Sequence, residues 1–246
     1  MLFLLMTIMA VAKGTMFESK IVGGADAGEG QYPFIVSIRY FGSAEHVCAG
    51  SIISQEWVVT AAHCVDKISP QDLKIVAGTN HLTHGGVVYD VEEIIVHEKY
   101  DSYYVKNDVA LLKIAPITYT NSVASVVLDR DFIDEEVRCI LSGWGMRKYP
   151  GPVTNRLQHL NLTTTTLNYC QSIMTPIDKS QICTLTTPTK GGCRFDSGGP
   201  LIRRHSNSFK QIGIVSWMIL CAKGYPDVYT RVSHYHPWFK NKCNCL

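Results

Sequence analysis

Three short motifs carry residue types suited to nucleophilic catalysis. Thr60-Ala61-Ala62-His63-Cys64 sets a histidine beside a cysteine, Asp108-Val109-Ala110-Leu111-Leu112 puts a carboxylate at the head of an apolar run, and Asp196-Ser197-Gly198-Gly199-Pro200 places a serine in a glycine-rich turn. A serine hydroxyl is a poor nucleophile until a base takes its proton. Histidine is the usual base near neutral pH, and a buried carboxylate fixes its tautomer and stabilises the imidazolium. The glycines after Ser197 allow a sharp turn and close backbone approach. Each motif alone has a plainer explanation, since a histidine beside a cysteine is commonly structural and an aspartate at a strand start commonly caps a turn. Jointly they fit acyl transfer, with His63, Asp108 and Ser197 as base, orienting acid and nucleophile.

These groups need a scaffold, and the chain reads as short strands. β-branched and aromatic runs recur at Phe34 to Tyr40, Trp57 to Ala61, Leu73 to Val76, Val87 to Val96, Asp108 to Ile114, Arg138 to Ser142, Gln211 to Trp217 and Asp227 to Val232. Gly, Pro, Asn and Ser separate them, which predicts an all-β sandwich or barrel. Thr163 to Thr166 reads as strand more readily than as linker, because its residues are β-branched and follow Leu160 and Leu162. Ser233 to Asn244 reads as a terminal helix that packs Tyr235 and Trp238 inward. Asn161-Leu162-Thr163 is a formal N-glycosylation acceptor.

The whole chain is 246 residues long and 46% hydrophobic, enough for a large core in one unit. Its net charge is only +2, with Lys and Arg scattered, so no nucleic-acid footprint is expected. Residues 1–12 read as a signal peptide, an apolar run too short to span a bilayer, and no membrane partner is expected. The expected location is extracellular. Nine cysteines behind such a leader suggest disulfides, with at least one thiol left over. Zinc is the competing reading, but Cys243-x-Cys245 is too close for the usual ligand spacing, and no cofactor is implied.

From Ile21 to Trp238 the chain resembles the chymotrypsin-like serine proteases, in particular arthropod digestive or venom enzymes. The resemblance rests on the order His63, Asp108, Ser197 and on Ile21-Val22-Gly23-Gly24, Ser142-Gly143-Trp144-Gly145 and Pro226-Asp227-Val228-Tyr229-Thr230-Arg231-Val232. It implies two packed six-stranded antiparallel β-barrels with a short C-terminal helix, His63 and Asp108 on the first barrel and Ser197 on the second. It further implies a zymogen: residues 13–20 form a propeptide, a trypsin-like protease cleaves after Lys20, and the freed Ile21 amine pairs with buried Asp196. The protease domain would be 21–246, acting on proteins or peptides and restrained by protein inhibitors. Bridges Cys48 to Cys64, Cys170 to Cys183 and Cys193 to Cys221 are implied. Cys139 matches a family cysteine whose partner position holds Arg203, so it is free or linked to the Cys243/Cys245 tail.

The chain departs from the family at two places. Phe195 replaces a glycine whose N–H, with that of Ser197, forms the oxyanion hole; a bulky residue strains where glycine is at ease. Ser216, Trp217 and Met218 would line the substrate, with Met218 in place of a glycine at the pocket mouth. Gly191 falls at the pocket floor and Asp227 on its wall, where a substrate cation or Lys223 could meet the carboxylate. The calcium-loop acids of some relatives are not evident in 78–86. The favoured expectation is a secreted serine endopeptidase. The alternative is a catalytically impaired homologue that binds or regulates.

Overall fold

The computed structural model describes residues 23–146, 148–219, 221–243 and 245. The expected signal peptide, propeptide, Lys20 and Ile21 lie outside the described residues.

Among the described residues, fourteen strands fall into two sheets. After the short β1 (Ala25–Asp26), the first barrel is built from β2 (Ile35–Tyr40), β3 (His46–Ile52), β4 (Trp57–Thr60), β5 (Leu73–Ala77), β6 (Val87–Val96) and β7 (Ala110–Ile114). It closes in the order β2-β3-β4-β7-β6-β5, every pair antiparallel. Closure leaves no open edge. Its interior holds Ile38, Ile52, Val58, Leu73, Ile75, Leu112 and Ile114, all without exposed surface. Each such burial is worth roughly 1.5–3 kcal/mol against an exposed side chain.

The second sheet comprises β8 (Val127–Leu128), β9 (Arg138–Gly143), β10 (Gln158–Thr165), β11 (Gln181–Leu185), β12 (Pro200–His205), β13 (Ser208–Trp217) and β14 (Asp227–Arg231), with β1 beside β10. The path β10-β11-β14-β13-β12-β9 returns on itself because β9 also pairs β10, so six strands form a ring. The expected pair of six-stranded rings is present. One pairing is not antiparallel: β8 lies parallel to β13.

Two helices follow. The α1 helix (Leu167–Ile173) went unread in the sequence. Thr166, read as the end of a strand, instead caps it, its hydroxyl accepting the Tyr169 N–H at 3.2 Å. The terminal helix α2 (His236–Cys243) follows a 3-10 turn at Val232–Tyr235. Tyr235 is buried as expected, but Phe239 fills the core and Trp238 is half-buried, its ring N–H donating to Glu98 Oε2 at 2.9 Å.

The three bridges Cys48–Cys64, Cys170–Cys183 and Cys193–Cys221 are formed. The alternative link from Cys139 to the tail is not: Cys243 bonds Cys245, and Cys139 stays free and buried. Burial pushes its thiol pKa up to about 12, against a weaker opposing backbone hydrogen bond from Thr164, so it is inert. Arg203 turns away from Cys139 to Asp129, Nε to Oδ2 at 2.6 Å, and also bonds Asp131.

Candidate active site

His63 sits in a 3-10 turn, Ala62–Cys64, directly after β4, and the Cys48–Cys64 bridge ties that turn to β3. Asp108 precedes β7, the neighbour of β4 in the same barrel. The strand pairing thus brings the two together across 45 residues of sequence. His63 Nδ1 lies 2.8 Å from Asp108 Oδ2, and the His63 backbone N–H donates to Asp108 Oδ1 at 2.9 Å.

The second barrel completes the cradle. Ser216 Oγ donates to Asp108 Oδ2 at 2.6 Å, and Thr230 Oγ1 donates to the Asp108 carbonyl at 2.7 Å. Asp108 is 1% exposed, so these bonds replace its lost water. Burial opposes charging of His63, but the Asp108 hydrogen bond and charge outweigh it, and the imidazole pKa is raised. Its ring keeps 29% exposure, so the far edge remains reachable.

Ser197 comes from the turn before β12, in the second barrel. Its carbonyl accepts the Ala49 N–H at 2.8 Å, which pins this turn to β3 of the first barrel. Gly198 takes φ +76, and a Cβ there would overlap the Thr60 hydroxyl. No hydrogen bond joins the Ser197 hydroxyl to His63 among the described residues. Such contacts are often loose before substrate binds.

Phe195 adopts φ +74, the left-handed conformation that glycine occupies freely. Two bonds hold it there. Met146 N–H donates to the Arg194 carbonyl at 3.0 Å, and His46 Nε2 lies 3.0 Å from the Phe195 carbonyl. A trans peptide sets N–H opposite C=O, so the Phe195 N–H points away from Met146. Burial lowers the His46 pKa to about 4, so this ring carries one proton. That proton must be on Nε2 to meet a carbonyl; Nδ1 then accepts from the Ser37 hydroxyl at 2.9 Å. Neither His46 nor Ser37 was singled out in the sequence, because a histidine two residues before a cysteine carries no signature.

Asp196 is fully buried and accepts N–H groups from Gly145 at 2.8 Å and Cys193 at 3.1 Å. A Cβ on Gly143 or Gly145 would overlap its carboxylate, which explains the glycines of the Ser142 to Gly145 motif. Burial pushes its pKa up to about 7, the two backbone bonds pulling weakly the other way. Among the described residues no cation meets it. Lys20 and Ile21 lie outside the described residues.

The expected pocket residues converge only in part. Asp227 is 2% exposed, and its Oδ2 accepts the Gly192 N–H at 2.6 Å. No bond to Lys223 is formed among the described residues. A Cβ on Gly191 would lie 3.4 Å from Asp227 Oδ2. A Cβ on Gly192 would lie 3.3 Å from Asp227 Oδ2 and 3.2 Å from the Met218 methyl, so Met218 folds over this corner. Burial raises the Asp227 pKa to about 7, against the Gly192 bond, with a further rise from the Asp196 charge. Trp217 packs beside the Cys170–Cys183 bridge. The Ser216 side chain faces Asp108 rather than the pocket. The one cluster of metal-ligating types among the described residues, Cys48, His63 and Cys64, has both sulfurs tied in a disulfide and offers no thiolate.

The family model described as Trypsin matches residues 21–239. The chain belongs to the trypsin family. Chymotrypsin-2 of Vespa crabro is 39% identical over 222 residues, covering 89% of this chain and 98% of that protein. Trypsin epsilon of Drosophila erecta is 32% identical over 230 residues, covering 91% of this chain and 87% of that protein. As a member of the trypsin family with chymotrypsin- and trypsin-named insect relatives, the chain is a serine endopeptidase, a hydrolase of peptide bonds.

Proposed function

We propose that the chain is a secreted zymogen whose mature form cleaves peptide bonds through an acyl-enzyme on Ser197. The observation that supports this most is the His63–Asp108 pair, bonded twice and buttressed by Ser216 and Thr230, in a barrel to whose β3 the Ser197 turn of the other barrel is tied through Ala49. His63 takes the Ser197 proton as the hydroxyl attacks and returns it to the leaving amine, while Asp108 holds the tautomer. The Phe195 and Ser197 N–H groups receive the oxyanion. The His46 bond to the Phe195 carbonyl offsets the strain of a bulky residue at that turn.

Activation follows from the buried Asp196. A buried carboxylate that has two N–H partners and meets no cation among the described residues is costly to ionise. Cleavage after Lys20 by a trypsin-like protease gives Ile21 a free ammonium that would meet it. Met218 at the mouth, above the Gly191 floor and the Asp227 wall, narrows the pocket and suits it to side chains of modest size. Protein substrates come with the family; the activating protease and restraining inhibitors belong to this proposal.

The test is to cleave after Lys20, confirm an Ile21 terminus, and treat with a serine-directed organophosphonate. Labelling confined to Ser197, absent in Ser197→Ala, with turnover of a peptide library, is the expected result. No labelling of the correctly processed protein would overturn the proposal in favour of an impaired homologue that binds or regulates.

A further inference from the structure

A cavity of about 640 Å³ lies on the second barrel, lined by Arg138, Ile140, Asn161, Leu162, Thr163 and Arg204 among others. It shares no residue with the cleft of His63, Asp108 and Ser197. Its size falls within the range of small-ligand sites.

Strand register decides what faces it. Cys139, Leu141 and Leu162 point into the barrel core, so the alternating neighbours Arg138, Asn161 and Thr163 point outward. Arg138 lies opposite Thr163 on β10. On its other side the register runs Leu201 to Leu141 and Ile202 to Ile140, which continues to place Arg204 opposite Arg138. Two arginines therefore face each other on adjacent strands, an arrangement that repels. Both are exposed, and neither has a carboxylate partner among the described residues. Their neighbour Arg203 differs, being spent on Asp129 and Asp131. Arg204 is also held over the Phe209 ring, 5.1 Å from its centroid, which leaves the guanidinium edge open for hydrogen bonds.

We propose that this groove binds a polyol or sugar carrying at least two oxyanion groups, sulfate or phosphate. Each guanidinium supplies a planar pair of donors to one oxyanion, and the bound charge removes the repulsion between Arg138 and Arg204. The Asn161 amide and Thr163 hydroxyl supply donors and acceptors for ring hydroxyls. The apolar Ile140, opposite Asn161 on the outward face, forms part of the lining against which a ring can rest. A saccharide sulfate and an inositol phosphate share this chemistry.

The test uses the full-length precursor, made in a host without N-glycosylation because Asn161 begins an acceptor motif. Titration calorimetry with sucrose octasulfate and, separately, inositol hexakisphosphate should show binding that weakens as salt rises. Arg138→Gln and Arg204→Gln should each lose about tenfold in affinity or more. Lys240→Gln, an exposed cation on α2, should lose nothing. Binding of the sulfate probe alone identifies a sulfated saccharide, of the phosphate probe alone an inositol-type phosphate, and of both a site that reads charge. Failure of both probes, unchanged affinity in the two arginine variants, or an equal loss in Lys240→Gln would overturn the proposal.

Discussion

His46, on β3 of the first barrel, donates its Nε2 hydrogen to the carbonyl oxygen of Phe195, in the turn of the second barrel that precedes Ser197, across 3.0 Å. The bond spans 149 residues of sequence and holds a phenylalanine in a backbone conformation made for glycine. Phe195→Gly should relieve that strain and raise stability by about 1 kcal/mol in urea unfolding. Turnover should change by less than about fivefold, because glycine keeps the same N–H. A large rise in turnover would show that Phe195 turns its N–H away.

The same bond sets a pH limit. His46 has a folded pKa of about 4, below its unfolded 6.5, so the unfolded chain takes up its proton first as pH falls. Stability from this group is present above about 6.5 and is lost as pH falls toward about 4. His46→Gln, measured by thermal unfolding across that window, should flatten the slope.

Asp108→Asn should leave the fold intact and cut kcat by roughly four orders of magnitude, because the amide favours the wrong histidine tautomer. His63 has a raised pKa and must be neutral to act as base, so in the parent enzyme kcat/KM should rise with pH through a midpoint above 6.5. A parent midpoint at or below 6.5 would contradict the coupling of His63 to Asp108.

Asp196 and Asp227 shift upward, to about 7 from 3.8, opposite to His46. A carboxyl raised in the folded state costs nothing below about 3.8, where both states are protonated. Stability is then lost as pH rises through about 7, while the unfolded chain ionises freely. The precursor should therefore weaken between about pH 4 and 7. Asp227→Asn should shrink that loss, and cleavage after Lys20 should shrink it further if Ile21 supplies Asp196 with a cation. Denaturant midpoints of cut and uncut protein, taken at several pH values, check both.

Arg203→Cys should form a bridge with Cys139, since strand register sets the two positions opposite each other. The bridge closes a long loop and is worth roughly 4 kcal/mol, yet it strips buried Asp129 of its guanidinium at a cost of about 3–5 kcal/mol. The expected result is a new disulfide by mass spectrometry with little change in Tm. Adding Asp129→Asn should then expose the gain.

Much of this was legible in the sequence, and the reasons differ by residue. Strands that are short apolar runs bounded by turn residues, such as Arg138 to Ser142, buried from Cys139 onward, announce themselves, as does His63 through its motif. The three bridges followed from the family resemblance. The α1 helix was hidden because Thr166 continues a threonine run and its one-turn signal is only a cap. Ser216 was read as a substrate contact, and its role beside Asp108 could not be seen because the two are 108 residues apart and belong to different barrels. His46 and Ser37 are legible only once β2 and β3 pair. The link from Cys139 to the tail failed because a core thiol cannot reach a partner at the end of α2.

The acid beside His63 is steadied by Ser216 and Thr230, both contributed by the barrel that folds from the later half of the chain. On the proposed assignment, a nascent chain with only its first barrel formed holds a histidine and an aspartate but lacks both the nucleophile and half of the acid's support. The seam between barrels then works as a coincidence detector: hydrolytic competence arises only when synthesis and docking are complete.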